Sequence, residues 1–166
     1  QDENGDYDFV QIELDGDGKP LSVEEVGFTS GEILSIAAGP SLLVRQIKDG
    51  RVDLLHLGSP LRVTQMTGKS GALRPDGKAC IMMNEDTLSA EIYAIEDSIP
   101  RLESTIPLGS VFGEADIVWN TVPVWEPHGD RVLLNGSTLT EWRRFGMVND
   151  EKLLCLDTVT KRRNLV

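Results

Sequence analysis

Two turns of the same make dominate this chain. Leu73-Arg74-Pro75-Asp76-Gly77-Lys78 leads into the apolar run Ala79-Cys80-Ile81-Met82-Met83. Trp125-Glu126-Pro127-His128-Gly129-Asp130 leads into Arg131-Val132-Leu133-Leu134. Proline presets φ and has no amide hydrogen, and glycine accepts positive φ, so each segment reverses the chain instead of extending a strand or a helix. A second strand-like run follows each turn: Ala90-Glu91-Ile92-Tyr93-Ala94-Ile95 after the first, Lys152-Leu153-Leu154-Cys155-Leu156-Asp157 after the second. A weaker copy stands at Ile33–Ala38, with Gly39-Pro40-Ser41 as its turn.

The rest of the chain has the same texture. Ser41–Ile47 and Arg51–Leu57 flank Lys48-Asp49-Gly50, a strong hairpin signal because Asp and Gly tolerate the positive φ of hairpin turns. Phe9–Leu14 alternates in its second half and runs into Asp15-Gly16-Asp17-Gly18. Helical periodicity is hard to find, and short β-rich runs bounded by Gly, Pro, Asp and Asn indicate an all-β protein. A small antiparallel sheet cannot bury both faces alone, and stacking such sheets around an axis solves that problem. The two prolines, Pro75 and Pro127, are 52 residues apart. That matches a propeller-blade period of roughly 40–50 residues with one longer internal loop, read here as Asn135 to Asp150. The expectation is a partial β-propeller of about three to four antiparallel blades. Residues 1–32 form an N-terminal hairpin, read as the outer part of a blade, and blades follow at 33–69, 70–118 and 119–166.

These residues carry a family resemblance. "LRPDGKACIMM" and "VPVWEPHGDRVLL", followed by "EIYAIE" and "KLLCLDTVTKR", resemble TolB-like propeller repeats. Such repeats also build the N-terminal propellers of prolyl-oligopeptidase-type serine hydrolases, lasso-peptide isopeptidases among them. The resemblance covers about Ser70 to Val166, with a third copy from Ile33. Arg74 and Glu126 stand where the repeat prefers Ser, His128 replaces the turn Asp, and Leu73 replaces the aromatic residue. The motif marks a blade and not an activity.

Charge narrows the partners. The 166 residues carry 16 Lys plus Arg against 27 Asp plus Glu, a formal net charge of -11. That field repels a polyanion, and the basic cluster Lys161-Arg162-Arg163 reads as a solvated tail, so no nucleic-acid partner is expected. No apolar run reaches the roughly 18–20 residues of a membrane span. The chain begins at Gln1, which tilts the expectation towards a processed periplasmic or secreted protein. Cys80 and Cys155 sit in apolar runs and read as buried thiols, with a disulfide between them as the alternative in an oxidising compartment.

Motifs for chemistry are sparse. Counting Glu13 as position 1 of a calcium loop puts Asp15, Asp17, Gly18 and Glu24 at positions 3, 5, 6 and 12. The flanking runs read as strands, Pro20 occupies position 8, and the first ligand is Glu, so a hairpin turn is preferred and no metal is assigned. Gly68-Lys69-Ser70 ends like a phosphate-binding loop, but Val63 stands where that loop needs its first glycine. No Gly-x-Ser-x-Gly elbow occurs, and His56 and His128 read as structural, so no catalytic residue is assigned. Two histidines and two cysteines lack the short pairings of a zinc site. The acids Glu85-Asp86, Glu96-Asp97 and Glu114 with Asp116 read as solvated loop carboxylates. Trp125 falls at an inner-strand position and is expected between blades, while Trp142-Arg143-Arg144-Phe145 is the candidate surface contact.

The functional expectation is a noncatalytic propeller segment that binds, or gates access, for a hydrolase whose catalytic domain lies elsewhere. No cofactor is expected. The partners would be a protein or peptide, namely the remainder of a propeller or a hydrolase domain. A stand-alone interaction module that completes a propeller with a partner chain is the first alternative. A calcium-binding domain using the Asp15 loop is the second.

Overall fold

The computed structural model describes residues 9–26, 31–46, 48–58, 60–108, 117–119, 122–127, 129–143 and 146–165. Among the described residues the fold is all-β, without a helix. Strands β1 (Phe9–Leu14) and β2 (Pro20–Val26) form a separate antiparallel hairpin. The first sheet is a meander of β3 (Gly31–Ile36), β4 (Ser41–Gln46), β5 (Val52–His56) and β6 (Arg62–Met66). The second repeats it with β7 (Ser70–Leu73), β8 (Ala79–Asn84), β9 (Ser89–Glu96) and β10 (Ile99–Pro107). The third comprises β11 (Ile117–Trp119), β12 (Val124–Trp125), β13 (Arg131–Arg143), β14 (Gly146–Asp157) and β15 (Arg163–Leu165). Its order is β11-β13-β14-β15, with β12 also paired to β13. Every pairing is antiparallel, and among the described residues the sheets do not close into a ring.

Side-chain alternation explains how the sheets stack. In β8, Cys80 and Met82 join a core with Leu43, Val52 and Leu54 of the first sheet. Ile81 and Met83 point the other way, into a core with Trp125, Val132, Leu134, Leu154 and Leu156 of the third. A strand buried on both faces needs a continuous apolar run, and "ACIMM" is one. Each such side chain is worth about 1.5–3 kcal/mol of transfer free energy when fully buried. The second sheet is therefore the middle layer of three.

The turns keep the layers in step. The amides of Ala37, Arg74 and Glu126 donate to the carbonyls of Ser41, Ala79 and Arg131 respectively, closing a turn at the same place in each sheet, one residue shorter in the first. The cross-strand pair beside each closure is Ile36 with Leu42, Leu73 with Cys80, and Trp125 with Val132. These three pairs are equivalent positions of one repeat. Gly77 sits at φ 73°, as its turn requires, and Asp76 Oδ1 accepts from the amide of Lys78 at 3.0 Å. Adjacent turns also touch, since the Ala38 amide donates to the Pro75 carbonyl at 2.8 Å.

Three features differ from the sequence reading. Lys161-Arg162-Arg163 is not wholly a solvated tail, because Arg163 begins β15, pairs with Leu156 and donates to the Pro107 carbonyl. Asn135 to Asp150 is not a loop in its described part but the long ends of β13 and β14, paired out to Arg143 opposite Gly146. Thr138, Leu139, Thr140 and Val148 are good strand formers, and Gly136 within the run disguised them. The outer strands β6 and β10 were also unread. As half-solvated edges they carry mixed residues such as Arg62-Val63-Thr64-Gln65 and leave little periodic signal.

Candidate functional site

The Asp15 loop is the turn of a hairpin. Asp15 Oδ1 accepts from the amides of Asp17 at 2.9 Å and Lys19 at 2.8 Å, and Gly18 lies at φ 77°. The strand register separates the four carboxylates. Glu13 is opposite Ser22, but Glu24 is opposite Gln11, four residues of extended chain from Asp15 and so about 13 Å away. The side chains of Glu13 and Glu24 lie outside the described residues. Among the described residues, no three His, Cys, Asp or Glu side chains converge as a metal site.

The other sequence candidates are scattered. Trp142 and Arg143 occupy the far end of β13, opposite Met147 and Gly146. Their side chains, and Arg144 and Phe145 altogether, lie outside the described residues, as does His128. Ser41 Oγ is 3.2 Å from His56 Nδ1, a Ser–His contact that sequence spacing does not reveal. Register creates it, because Ser41 and His56 face each other across β4 and β5. Ser41 is buried, and no acid hydrogen-bonds the imidazole among the described residues. Burial, then the Arg62 charge, hold the His56 pKa below its ordinary value. The contact is packing, with neither an exposed nucleophile nor an orienting third group. Both cysteines are free thiols. Cys80 lies between the first two sheets with its pKa pushed up by burial to about 12, and Cys155 lies on the third sheet, partly exposed.

Polar groups cluster where sheets meet. A cleft of about 320 Å³ between the second and third turns is lined by Arg74, Pro75, Asp76, Pro127, Gly129 and Asp130. Arg74 Nε donates to Asp76 Oδ1 at 2.8 Å, and its Nη1 donates to Asp130 Oδ1 at 3.2 Å across the sheet boundary. The Arg74 hydrogen bond holds the Asp76 pKa below its ordinary value against the opposing effect of burial. One cation between two carboxylates is a tie between turns, not a vacant anion site. At the other end of the second sheet, Glu91 accepts from Tyr93 OH at 2.7 Å, from Asn84 Nδ2 at 3.0 Å and from Thr67 Oγ1. Burial pushes the Glu91 pKa up, but the bonds from Thr67, Tyr93 and Asn84 outweigh it and leave the carboxyl lowered. Burial likewise drives the Tyr93 phenol to about 12. These groups satisfy one another, so they tie the β6–β7 connection to the two interior strands of the second sheet.

The least satisfied surface is apolar. Val124, Leu133 and Cys155 pair in one row across β12, β13 and β14, on the side of the third sheet facing away from the second. A groove of about 360 Å³ runs along it, lined also by Pro127 and flanked by Arg131 and Glu126. The equivalent row in the second sheet, Ala72, Ile81 and Ile92, is buried under the third. The sequence showed alternation in these strands but not which face lacks a cover. No protein-family model matches the chain, and no curated protein does.

Proposed function

We propose that the chain is a noncatalytic segment of a β-propeller, which binds, or gates access, for a hydrolase whose catalytic domain lies elsewhere. The observation that supports this most is the threefold recurrence of one sheet, in one register, stacked face to face through the same positions. Recurring sheets in this arrangement present loops at two ends of a rigid stack, where binding residues belong. The described polar clusters are internally paired, which suits a structural and recognition role. The reading is tested with a hydrolase that carries this segment, by comparing small-ester and long-peptide turnover with and without residues 1–166. Loss of size discrimination with small-ester turnover retained is expected; unchanged discrimination, or turnover by the isolated chain, contradicts it.

A second reading is favoured by the exposed row on the third sheet. In it the chain is a stand-alone interaction module that completes its propeller with a partner chain. An uncovered sheet face of this kind marks an interaction surface.

A further inference from the structure

We propose that the outer face of the third sheet is the docking surface for one further antiparallel sheet of the same repeat, supplied by a partner chain. This deepens, and rests on, the partner-chain reading above. The two junctions inside the chain are built alike. Register makes Leu43–Leu54, Ile81–Ile92 and Leu133–Cys155 the same cross-strand pair of the interior strands in successive sheets. The first pair lies in one core with Leu73 and Cys80 of the second sheet. The second pair lies in one core with Trp125 and Val132 of the third, which hold the places of Leu73 and Cys80.

A hydrogen bond marks each junction at the same place. The Leu73 amide donates to Ser35 Oγ at 3.0 Å, and Trp125 Nε1 donates to the Ala72 carbonyl at 3.0 Å. Ser35, Ala72 and Val124 are equivalents, opposite Leu43, Ile81 and Leu133 respectively. Leu73 and Trp125, themselves equivalent, thus reach back to equivalent residues of the preceding sheet. In a stack of repeats each unit meets its neighbour through the same interface, and here that interface occurs twice.

On the third sheet the same surface is bare. Val124 is 60% exposed and Leu133 42%, against 4% for Ala72 and 0% for Ile81, and Cys155 is partly exposed where Ile92 is buried. The other end of the stack differs. Ile33, Ile36 and Val63 are exposed there on edge strands, but Val44, Leu42 and Leu55 opposite them are already buried. The open half of a junction is therefore the third sheet's. The sheet that fits it brings a large aliphatic or aromatic residue onto Val124 and Leu133, as Trp125 does in the core it shares with Ala72 and Ile81. Apolar burial drives the contact, and the Arg131–Glu126 ion pair stays intact at the turn end of the row.

The probe for the partner's sheet is a repeat of residues 107–166 joined after Val166 and carrying Cys155→Ser, so that the tether holds the added sheet at high effective concentration. Alkylation of the original Cys155 is timed in dilute solution, in this extended chain and in the 166-residue chain. The added sheet is expected to slow it roughly tenfold or more, because local opening must then precede reaction. Val132→Asp in the added sheet is expected to restore the rate. An unchanged rate overturns the docking inference, whether the added sheet folds or not, and so does protection that Val132→Asp leaves in place. The partner-chain reading fails differently: it requires an open row, so a Cys155 already protected in the 166-residue chain overturns that reading and the docking with it.

Discussion

The indole Nε1 of Trp125 donates to the main-chain carbonyl of Ala72 at 3.0 Å, joining the third sheet to the second through a buried side chain. The two residues are 53 positions apart, close to one repeat, and the bond fixes the register between layers as well as the spacing. Trp125→Phe keeps most of the buried ring and loses the donor, so a cost of about 1 kcal/mol is expected. Trp125→Ala also leaves a cavity and should cost about 3–5 kcal/mol. Urea unfolding of the two variants measures both, and an unchanged midpoint in Trp125→Phe would mean that the hydrogen bond contributes nothing.

Ile81 and Leu133 hold the same place in successive sheets but should respond oppositely to a charge. Ile81 is buried under the third sheet, so Ile81→Asp should prevent folding by leaving a charge in the core. Leu133 lies on the uncovered side, and Leu133→Asp should change the monomer's stability by no more than about 0.5 kcal/mol. Circular dichroism of the dilute proteins separates the two cases.

Gly68 and Gly50 both adopt positive φ, at 88° and 71°, but only one is crowded. A Cβ on Gly68 would stand 2.3 Å from the Met83 carbonyl oxygen, and one on Gly50 would meet nothing within 4 Å. Gly50→Ala should therefore cost only the conformational penalty of about 1–2 kcal/mol. Gly68→Ala must also displace backbone and should lower the urea midpoint further.

Acid should weaken the fold in two windows. The folded-state pKa of His56 is lowered by burial and by Arg62 from 6.5, so its contribution is present above the unfolded value and is lost as pH falls below it. The folded-state pKa of Asp76 is lowered from 3.8, chiefly by the Arg74 hydrogen bond. Its contribution is present above 3.8 and is lost as pH falls through the lowered folded value. His56→Gln should flatten the upper decline in Tm, and Arg74→Met should shrink the lower one.

Much of this architecture was legible because backbone chemistry is local. Pro75, Gly77, Pro127 and Gly129 announce turns, the Asp49-Gly50 turn announces the β4–β5 hairpin, and "ACIMM" announces a strand buried on both faces. Trp125 was expected between layers and is found there. The outer strands β6 and β10 were not legible, since an edge strand answers to solvent as much as to the core. Nor were the Arg74–Asp130 tie, the Ser41–His56 contact or the open row on the third sheet. Each depends on which strand lies beside which, and that is settled by long-range pairing. Asp15 shows the limit from the other side: its spacing suited a cation loop, but its carboxylate serves two amides of its own turn.

The two cysteines report on the stacking itself, because the stacked layers give them opposite environments. Cys80 is fully buried between the first and second sheets, and burial raises its pKa to about 12, which suppresses the reactive thiolate. Cys155 stands partly exposed on the outer face of the third sheet. Alkylation of the dilute native chain, followed by peptide mass spectrometry, should label Cys155 and leave Cys80 unmodified until denaturant is added. Labelling of Cys80 at a rate equal to or above that of Cys155 would contradict the stacking on which the proposed function rests.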